Sequence, residues 1–160
     1  MFDPLLRPVK DRALTPVARG VRGVAPGYIT ALGLVLGLGA AWAAWTGAFG
    51  LGLLLWLGNR FMDGLDGLVA RIRGTADDLG GYFDLMADFA VYAAVPVAMA
   101  LRPGAAPGLA PAALLMLAVF YLNAASWMVP AALLEKRGLG ADVQGESTSV
   151  TMPEGMVAGG

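Results

Sequence analysis

The sequence predicts an all-α fold, a polytopic bundle of transmembrane helices preceded by an amphipathic helix. The composition is the first reason, because 58% of the 160 residues are hydrophobic and only 14% are charged. A soluble domain usually has about 25% charged residues. The second reason is a series of apolar runs, each long enough to cross a bilayer. The third is the distribution of basic residues, which collect on one side of the predicted bundle.

Residues 1–25 are predicted to form a cytoplasmic juxtamembrane segment. Leucines and valines alternate here with five basic residues, a composition typical of an amphipathic helix that lies in the membrane interface. The basic residues are Arg7, Lys10, Arg12, Arg19 and Arg22. A disordered basic tail is the alternative that the sequence leaves open.

Residues 26–160 are predicted to form a single transmembrane domain. Its spans are expected at residues 28–46, 51–71, 82–101 and 112–134, with a fifth starting near residue 152. A tight turn is predicted at residues 47–50, and Asp77 or Asp78 is expected to cap the third span. Pro96 is expected to kink that span.

The basic residues also predict the orientation of the bundle. With the N-terminus in the cytoplasm, ten of the 11 lysines and arginines lie on the cytoplasmic side. Arg102 alone remains on the other side. This is a strong positive-inside bias. Arg60 falls within the second span, where either snorkelling to the interface or binding of an anionic acceptor remains open.

Four aspartates, Asp63, Asp66, Asp84 and Asp88, fall inside predicted spans. A carboxylate at membrane depth costs at least a few kcal/mol, so such residues are functional by default. The first two are spaced i, i+3 and the last two i, i+4, so each pair lies on one helical face. Four converging carboxylates would repel one another unless cations held them together, which predicts a divalent-metal site.

The residue types favour a hard cation. The chain has no histidine and no cysteine, so metal and acid–base chemistry must use Asp and Glu, which suits Mg²⁺ or Mn²⁺. Asp63, Asp66 and Asp84 can ligate one or two cations, and two cations would bind a pyrophosphate. Asp88 lies one turn deeper and could accept a proton from an attacking hydroxyl. Helix caps and loop charges are the alternative reading of these aspartates.

Other residues near the aspartates suit a phosphate ligand. Gly67 and Gly80 lack side chains where backbone must approach a nucleotide or another helix closely. Arg71 can donate bidentate hydrogen bonds to phosphate oxygens. Thr30, at the start of the first span, is a further candidate contact to the nucleotide.

Written out, the stretch is Asp63-x2-Asp66-Gly67-x2-Ala70-Arg71-x8-Gly80-x3-Asp84-x3-Asp88. It resembles the signature of the CDP-alcohol phosphotransferase (CDP-alcohol phosphatidyltransferase) family, with every spacing matched. The signature covers 26 of the 160 residues. Eight specified residues over this length make a chance match very improbable.

The resemblance implies an activity in phospholipid biosynthesis. Members transfer a substituted phosphate group from a CDP-linked donor, usually CDP-diacylglycerol, to an alcohol, and they release CMP. The resemblance implies two divalent cations, Mg²⁺ or Mn²⁺, and a catalytic base at the fourth aspartate. The implied metal ligands are Asp63, Asp66, Asp84 and Asp88, and the implied nucleotide or phosphate contacts are Thr30, Asp66, Gly67, Ala70, Arg71 and Gly80.

The resemblance also implies an architecture. Members have six spans, so a chain with four spans and the start of a fifth is expected to lack the last two. A homodimer in the bacterial inner membrane is expected, with the active site facing the cytoplasm and no nucleic-acid partner. The acceptor stays open among glycerol phosphate, inositol or its phosphate, serine and an amino alcohol.

Two other functions compete with this one. A membrane prenyltransferase also uses paired aspartates on Mg²⁺-pyrophosphate, but it needs a larger bundle and lacks the Asp-Gly-x2-Ala-Arg element. A cation or proton transporter could use intramembrane aspartates, but it leaves Gly67, Arg71 and Gly80 unexplained. A transporter has no reason to bind CDP, so metal-dependent CDP binding separates the two classes.

Overall fold

The structure is a computed structural model that describes residues 14–138. Residues 14–20 are helical (α1), and four long helices follow: α2 (Pro26–Trp45), α3 (Phe49–Arg73), α4 (Asp78–Leu101) and α5 (Leu109–Lys136). No strand occurs between residues 14 and 138, and the all-α prediction is confirmed. Residues 1–13 and the fifth span expected near residue 152 lie outside the described residues.

Local signals place the helix boundaries close to the predicted ones. Pro26 opens α2, where its missing N–H is not needed. The turn after α2 contains Gly47 with φ 82°, a left-handed conformation that glycine adopts without strain, and α3 begins at Phe49. Gly74, with φ 64°, ends α3. The predicted cap of α4 is Asp77, whose carboxylate accepts a 2.7 Å hydrogen bond from the Gly80 N–H.

Three of the described helices, α2, α4 and α5, are long and apolar enough to cross a membrane. α3 has 25 residues, and it is not among these three because its second half is rich in charged residues. It nevertheless runs antiparallel along α2, because Gly52 approaches Ala40 and Ala44 while Met62 approaches Gly33. Because α3 lies alongside α2 over most of its length, the contact supports the prediction that α3 is also a span. α4 continues through Pro96 as one helix, and the kink expected there stays a prediction.

α2 is the helix against which the rest of its unit packs. Helices α1 to α4 belong to one compact unit, in which α2 packs against both α3 and α4, while α3 and α4 contact each other less. A Cβ atom built on Gly37 would lie 2.3 Å from Cγ2 of Val91 on α4. Gly33 and Gly37 are therefore helix-packing residues, the role that small residues commonly have between membrane helices.

α1 is anchored at the end of α2 and α3 where the motif lies. Ala18 is fully buried in an apolar cluster that includes Ile29 of α2 and Val69 of α3. Arg73, at the end of α3, donates a 2.7 Å hydrogen bond to the carbonyl of Val24. These contacts fix the start of α2 against the second half of α3. α5 is an apolar helix of 28 residues that includes Pro130.

Candidate active site

The four motif aspartates line one cavity that α2, α3 and α4 form together. The cavity is small and partly open to its surroundings. Its lining consists of Thr30, Gly33, Leu34, Asn59, Asp63, Asp66, Asp84, Ala87 and Asp88. The i, i+3 spacing on α3 and the i, i+4 spacing on α4 turn both pairs towards this space. The carboxylates that the sequence singled out are therefore brought together.

Asp66 is the most deeply buried of the four, with 3% of its surface exposed. Both of its oxygens accept hydrogen bonds. The Thr30 hydroxyl donates to Oδ2 at 2.6 Å, and the Gly67 N–H donates to Oδ1 at 2.6 Å. A buried carboxylate without such donors would be very costly. Thr30 thus contacts a motif aspartate, and its expected contact with a nucleotide stays a prediction.

Arg60 contacts two other motif aspartates, Asp88 and Asp63. Its Nη2 lies 2.5 Å from Oδ1 of Asp88 and its Nη1 lies 3.2 Å from Oδ2, so the pair is bidentate. The same Nη1 lies 3.8 Å from Oδ2 of Asp63. The Arg60 guanidinium therefore lies against motif aspartates of both α3 and α4, and its two sequence-based interpretations stay predictions.

Two further polar residues, which the sequence analysis missed, fix the Arg60 guanidinium. Asn59 accepts hydrogen bonds from Nε at 3.0 Å and from Nη2 at 2.7 Å, and it donates to the carbonyl of Gly33 at 2.9 Å. The Tyr92 hydroxyl accepts from Nη1 at 2.7 Å. Tyr92 follows Asp88 by four residues, and Asn59 is polar within an apolar run. The spacing of Tyr92 and the polarity of Asn59 are therefore sequence features from which both residues could have been predicted.

The remaining motif residues are absent from the cavity lining. A Cβ on Gly67 would lie 3.4 Å from Nη1 of Arg71, an ordinary contact distance. Arg71 is exposed and Ala70 is partly buried on the same helix. A Cβ on Gly80 would lie 2.9 Å from Oδ1 of Asp77. Gly80 therefore fits the cap of α4, and its predicted contact with a nucleotide stays a prediction.

The donor chemistry of the cavity fits a hard divalent cation. Four carboxylates, the Thr30 hydroxyl and the Asn59 amide supply oxygen ligands only, the type that Mg²⁺ and Mn²⁺ prefer. Within residues 14–138, however, no three acidic side chains are close enough to form a ready ligand set. Arg60 and Thr30 engage three of the four aspartates in this structure. Binding of a cation would therefore require some of these carboxylates to move towards the centre of the cavity.

One relative of known location supports the membrane assignment. The chain is 39% identical over 74 residues to the Inner membrane protein YnjF of Escherichia coli (strain K12). The match covers 46% of this chain and 35% of the relative, so the chain spans about a third of the length of that protein. No solved structure matches the chain significantly. Together with three apolar helices of spanning length, this likeness identifies an integral membrane protein.

The family match covers most of the chain, including the aspartate motif and the cavity that it lines. A sequence model of the CDP-alcohol phosphatidyltransferase family matches residues 23–152. Its range begins just before α2 and extends past α5, so it includes α2, α3 and α4, the helices that form the cavity. The family expected from the motif is thereby confirmed. The chain belongs to the CDP-alcohol phosphatidyltransferase family.

Proposed function

We propose that the protein transfers the phosphatidyl group of CDP-diacylglycerol to the hydroxyl group of an alcohol in phospholipid synthesis. The observation that supports this most is the cavity at which all four motif aspartates, two from α3 and two from α4, meet. Family membership supports the reaction class. The donor, the acceptor and the metal requirement are parts of the proposal.

The proposed reaction exchanges one phosphorus–oxygen bond for another. The acceptor oxygen attacks the phosphorus atom that carries the diacylglycerol. The bond from this phosphorus to the bridging oxygen of the diphosphate breaks, and CMP leaves with that oxygen. The proton of the acceptor hydroxyl passes to the carboxylate of Asp88, the general base of the proposal.

Two divalent cations, Mg²⁺ or Mn²⁺, complete the proposed site. Asp63, Asp66, Asp84 and Asp88 would hold them, and the cations would neutralise charge on the diphosphate and on the leaving oxygen. Thr30 contributes by orienting Asp66 through its 2.6 Å hydrogen bond. Arg71, one turn beyond Gly67, would bind a phosphate oxygen of the donor through its guanidinium group.

The location of the cavity suits an amphiphilic donor. The helices that line it have outward faces of large exposed apolar side chains, among them Leu32 and Val35 of α2 and Tyr82 and Phe83 of α4. Acyl chains can stay against such surfaces in lipid while the diphosphate reaches the aspartates. We further propose a cytoplasmic active site in the bacterial inner membrane and a homodimer, as the positive-inside bias and the family support.

The direct test is a transfer assay with an acceptor panel. The protein in lipid vesicles receives labelled CDP-diacylglycerol, Mg²⁺ and, separately, glycerol phosphate, inositol, inositol phosphate, serine and an amino alcohol. We expect one acceptor to yield a new labelled phospholipid together with an equal amount of CMP. Asp88→Asn is the matched control, because it removes the base and keeps the size of the side chain.

The same assay separates the competing functions. Protein that binds CDP with Mg²⁺ but forms no lipid from any acceptor would contradict the transferase proposal. Protein that does not bind CDP at all, with or without cation, would favour a transporter.

A further inference from the structure

Arg60 is a cation placed inside the bundle with its orientation fixed. Its side chain is 20% exposed. Asn59 accepts two of its hydrogen bonds and the Tyr92 hydroxyl accepts a third. The Tyr92 ring also lies under the guanidinium, with 4.9 Å between Cζ and the ring centroid, a favourable cation–π distance. The guanidinium therefore has one defined position.

That position presents both Nη atoms to Asp88. The two contacts, at 2.5 Å and 3.2 Å, span α3 and α4, whereas the contact with Asp63 on the same helix is a single one at 3.8 Å. A bidentate pair fixes the plane of a carboxylate as well as its distance. Asp88 is thus the motif aspartate whose orientation Arg60 determines.

Neutralisation of charge alone does not require this geometry. A lysine at residue 60 would supply the same charge as a point charge on a flexible stem. The planar fork, the two bonds to Asn59 and the bond to Tyr92 add orientation, which matters for a group that must meet a proton at hydrogen-bond distance. The network also lies at the edge of the cavity, next to Asp88 and Asn59 of its lining.

We propose that Arg60 is a positioning residue that orients the Asp88 carboxylate towards the hydroxyl of the acceptor, with Asn59 and Tyr92 holding Arg60 in place. This inference rests on the transferase function proposed above. Arg60 itself need not touch the substrate, because it acts through Asp88.

The test is a double-mutant cycle between Arg60 and Asp88. We expect Arg60→Gln to lower kcat by about 10- to 100-fold, the size of effect that a misplaced catalytic group produces. KM for CDP-diacylglycerol and the affinity for CDP with Mg²⁺ should change much less than kcat. In the Asp88→Asn background, Arg60→Gln should cause no further loss, because residues that act as a unit are not additive.

Conservative variants separate orientation from charge and from folding. Arg60→Lys should recover only part of kcat, since it keeps the charge and loses the fork. Tyr92→Phe, a mild change that keeps the ring, should lower kcat in the same direction with unchanged CDP affinity. Arg19→Gln is the control for loss of an arginine, because Arg19 is exposed on α1 and should retain the wild-type rate.

Some results would overturn the role of Arg60 alone, and another would overturn the transferase function as well. If the wild-type protein transfers lipid while Arg60→Gln keeps kcat, or Arg60→Lys equals the wild type, Arg60 has no positioning role. The same holds if the losses of Arg60→Gln and Asp88→Asn multiply in the double variant. If the wild-type protein transfers nothing, the transferase function fails, and the role of Arg60 fails with it.

Discussion

The hydroxyl of Thr30 on α2 donates a 2.6 Å hydrogen bond to Oδ2 of Asp66 on α3. This bond joins the first span to the helix that contains half of the aspartate motif. Asp66 is buried, and its second oxygen is already occupied by the Gly67 N–H. Thr30 therefore supplies the donor that makes a buried carboxylate tolerable next to apolar helix surfaces.

Thr30→Val should lower the thermal stability of the protein measured without divalent cations. A hydrogen bond to a charged group contributes about 1.5–3 kcal/mol, and valine keeps the shape of threonine while it removes the donor. Added Mg²⁺ should reduce the difference, because a cation at Asp66 also neutralises the carboxylate. Thr30→Ser, which keeps the hydroxyl, is the control. Identical melting temperatures for Thr30→Val and the wild type would contradict this role.

Gly37→Ala should destabilise the packing of α2 against α4. The new Cβ would lie 2.3 Å and 2.9 Å from the two γ-carbons of Val91, so one helix must move, at a cost of about 1–3 kcal/mol. Val91→Ala combined with Gly37→Ala should restore much of the melting temperature, because it removes those γ-carbons. Gly50→Ala is the control, since nothing lies within 4 Å of its Cβ position. A Gly37→Ala protein as stable as this control would refute the close contact.

Removal of divalent cations should abolish both CDP binding and lipid transfer. The physical reason is the repulsion among the aspartates that line the cavity and between them and a diphosphate. Treatment with EDTA followed by titration of Mg²⁺ or Mn²⁺, with CDP binding measured by calorimetry, checks this. Ca²⁺ can be added as a larger cation for comparison. Turnover that survives complete chelation would show that the proposed metal ligands have another role.

Asp63 and Asp88 should differ in what they contribute. Asp63→Asn should lose CDP binding and transfer together, because it removes a proposed metal ligand. Asp88→Asn should keep most of the CDP affinity and lose about 10²–10⁴-fold in rate, the usual contribution of a general base. Calorimetry and the transfer assay on the same preparations provide the comparison. Equal losses of cation affinity in the two variants would identify Asp88 as chiefly a metal ligand.

The transfer should be measurable in reverse. Because the interactions that stabilise a transition state act in both directions, vesicles of the product phospholipid, excess CMP and Mg²⁺ should yield CDP-diacylglycerol. In a mixed lipid extract, the lipid whose amount falls would identify the acceptor by its head group. Asp63→Asn is the blank for this assay. Consumption of no lipid by protein that demonstrably binds CMP would point to a nucleotide-binding role without transfer.

Local sequence signals predict most of the fold. The apolar runs, Pro26, Gly74 and Asp77 determine where helices begin and end, because these effects depend on neighbouring residues only. α3 begins at Phe49, earlier than expected, because the turn needs just one left-handed glycine, Gly47. The positions of the aspartates on helical faces follow from spacing alone, which explains why the cavity lining contains all four.

The partners of those aspartates could not be predicted in the same way. Arg60 and Asp88 are 28 residues apart on different helices, so their pairing depends on how α3 and α4 are placed against α2. The sequence left Arg60 open between the interface and an acceptor for this reason. Gly80 differs from Arg60, because a contact between neighbouring residues accounts for it. The sequence predicts that Gly80 contacts the ligand, but a side chain there would also collide with the Asp77 carboxylate that caps α4.

No motif aspartate lies on α2, yet both acidic helices rest on it through Gly33 and Gly37. The separation between the two halves of the motif is therefore encoded in a helix without a charged residue. Consider a chimera in which α2 is replaced by the first span of an unrelated membrane protein. We expect this chimera to insert into the membrane with the same orientation, because the new span is equally apolar. We also expect it to lose the relative placement of Asp66 on α3 and Asp84 on α4, because the glycine contacts of α2 would be gone. Transplanting this chemistry into another bundle therefore requires α2, α3 and α4 to be moved as one block.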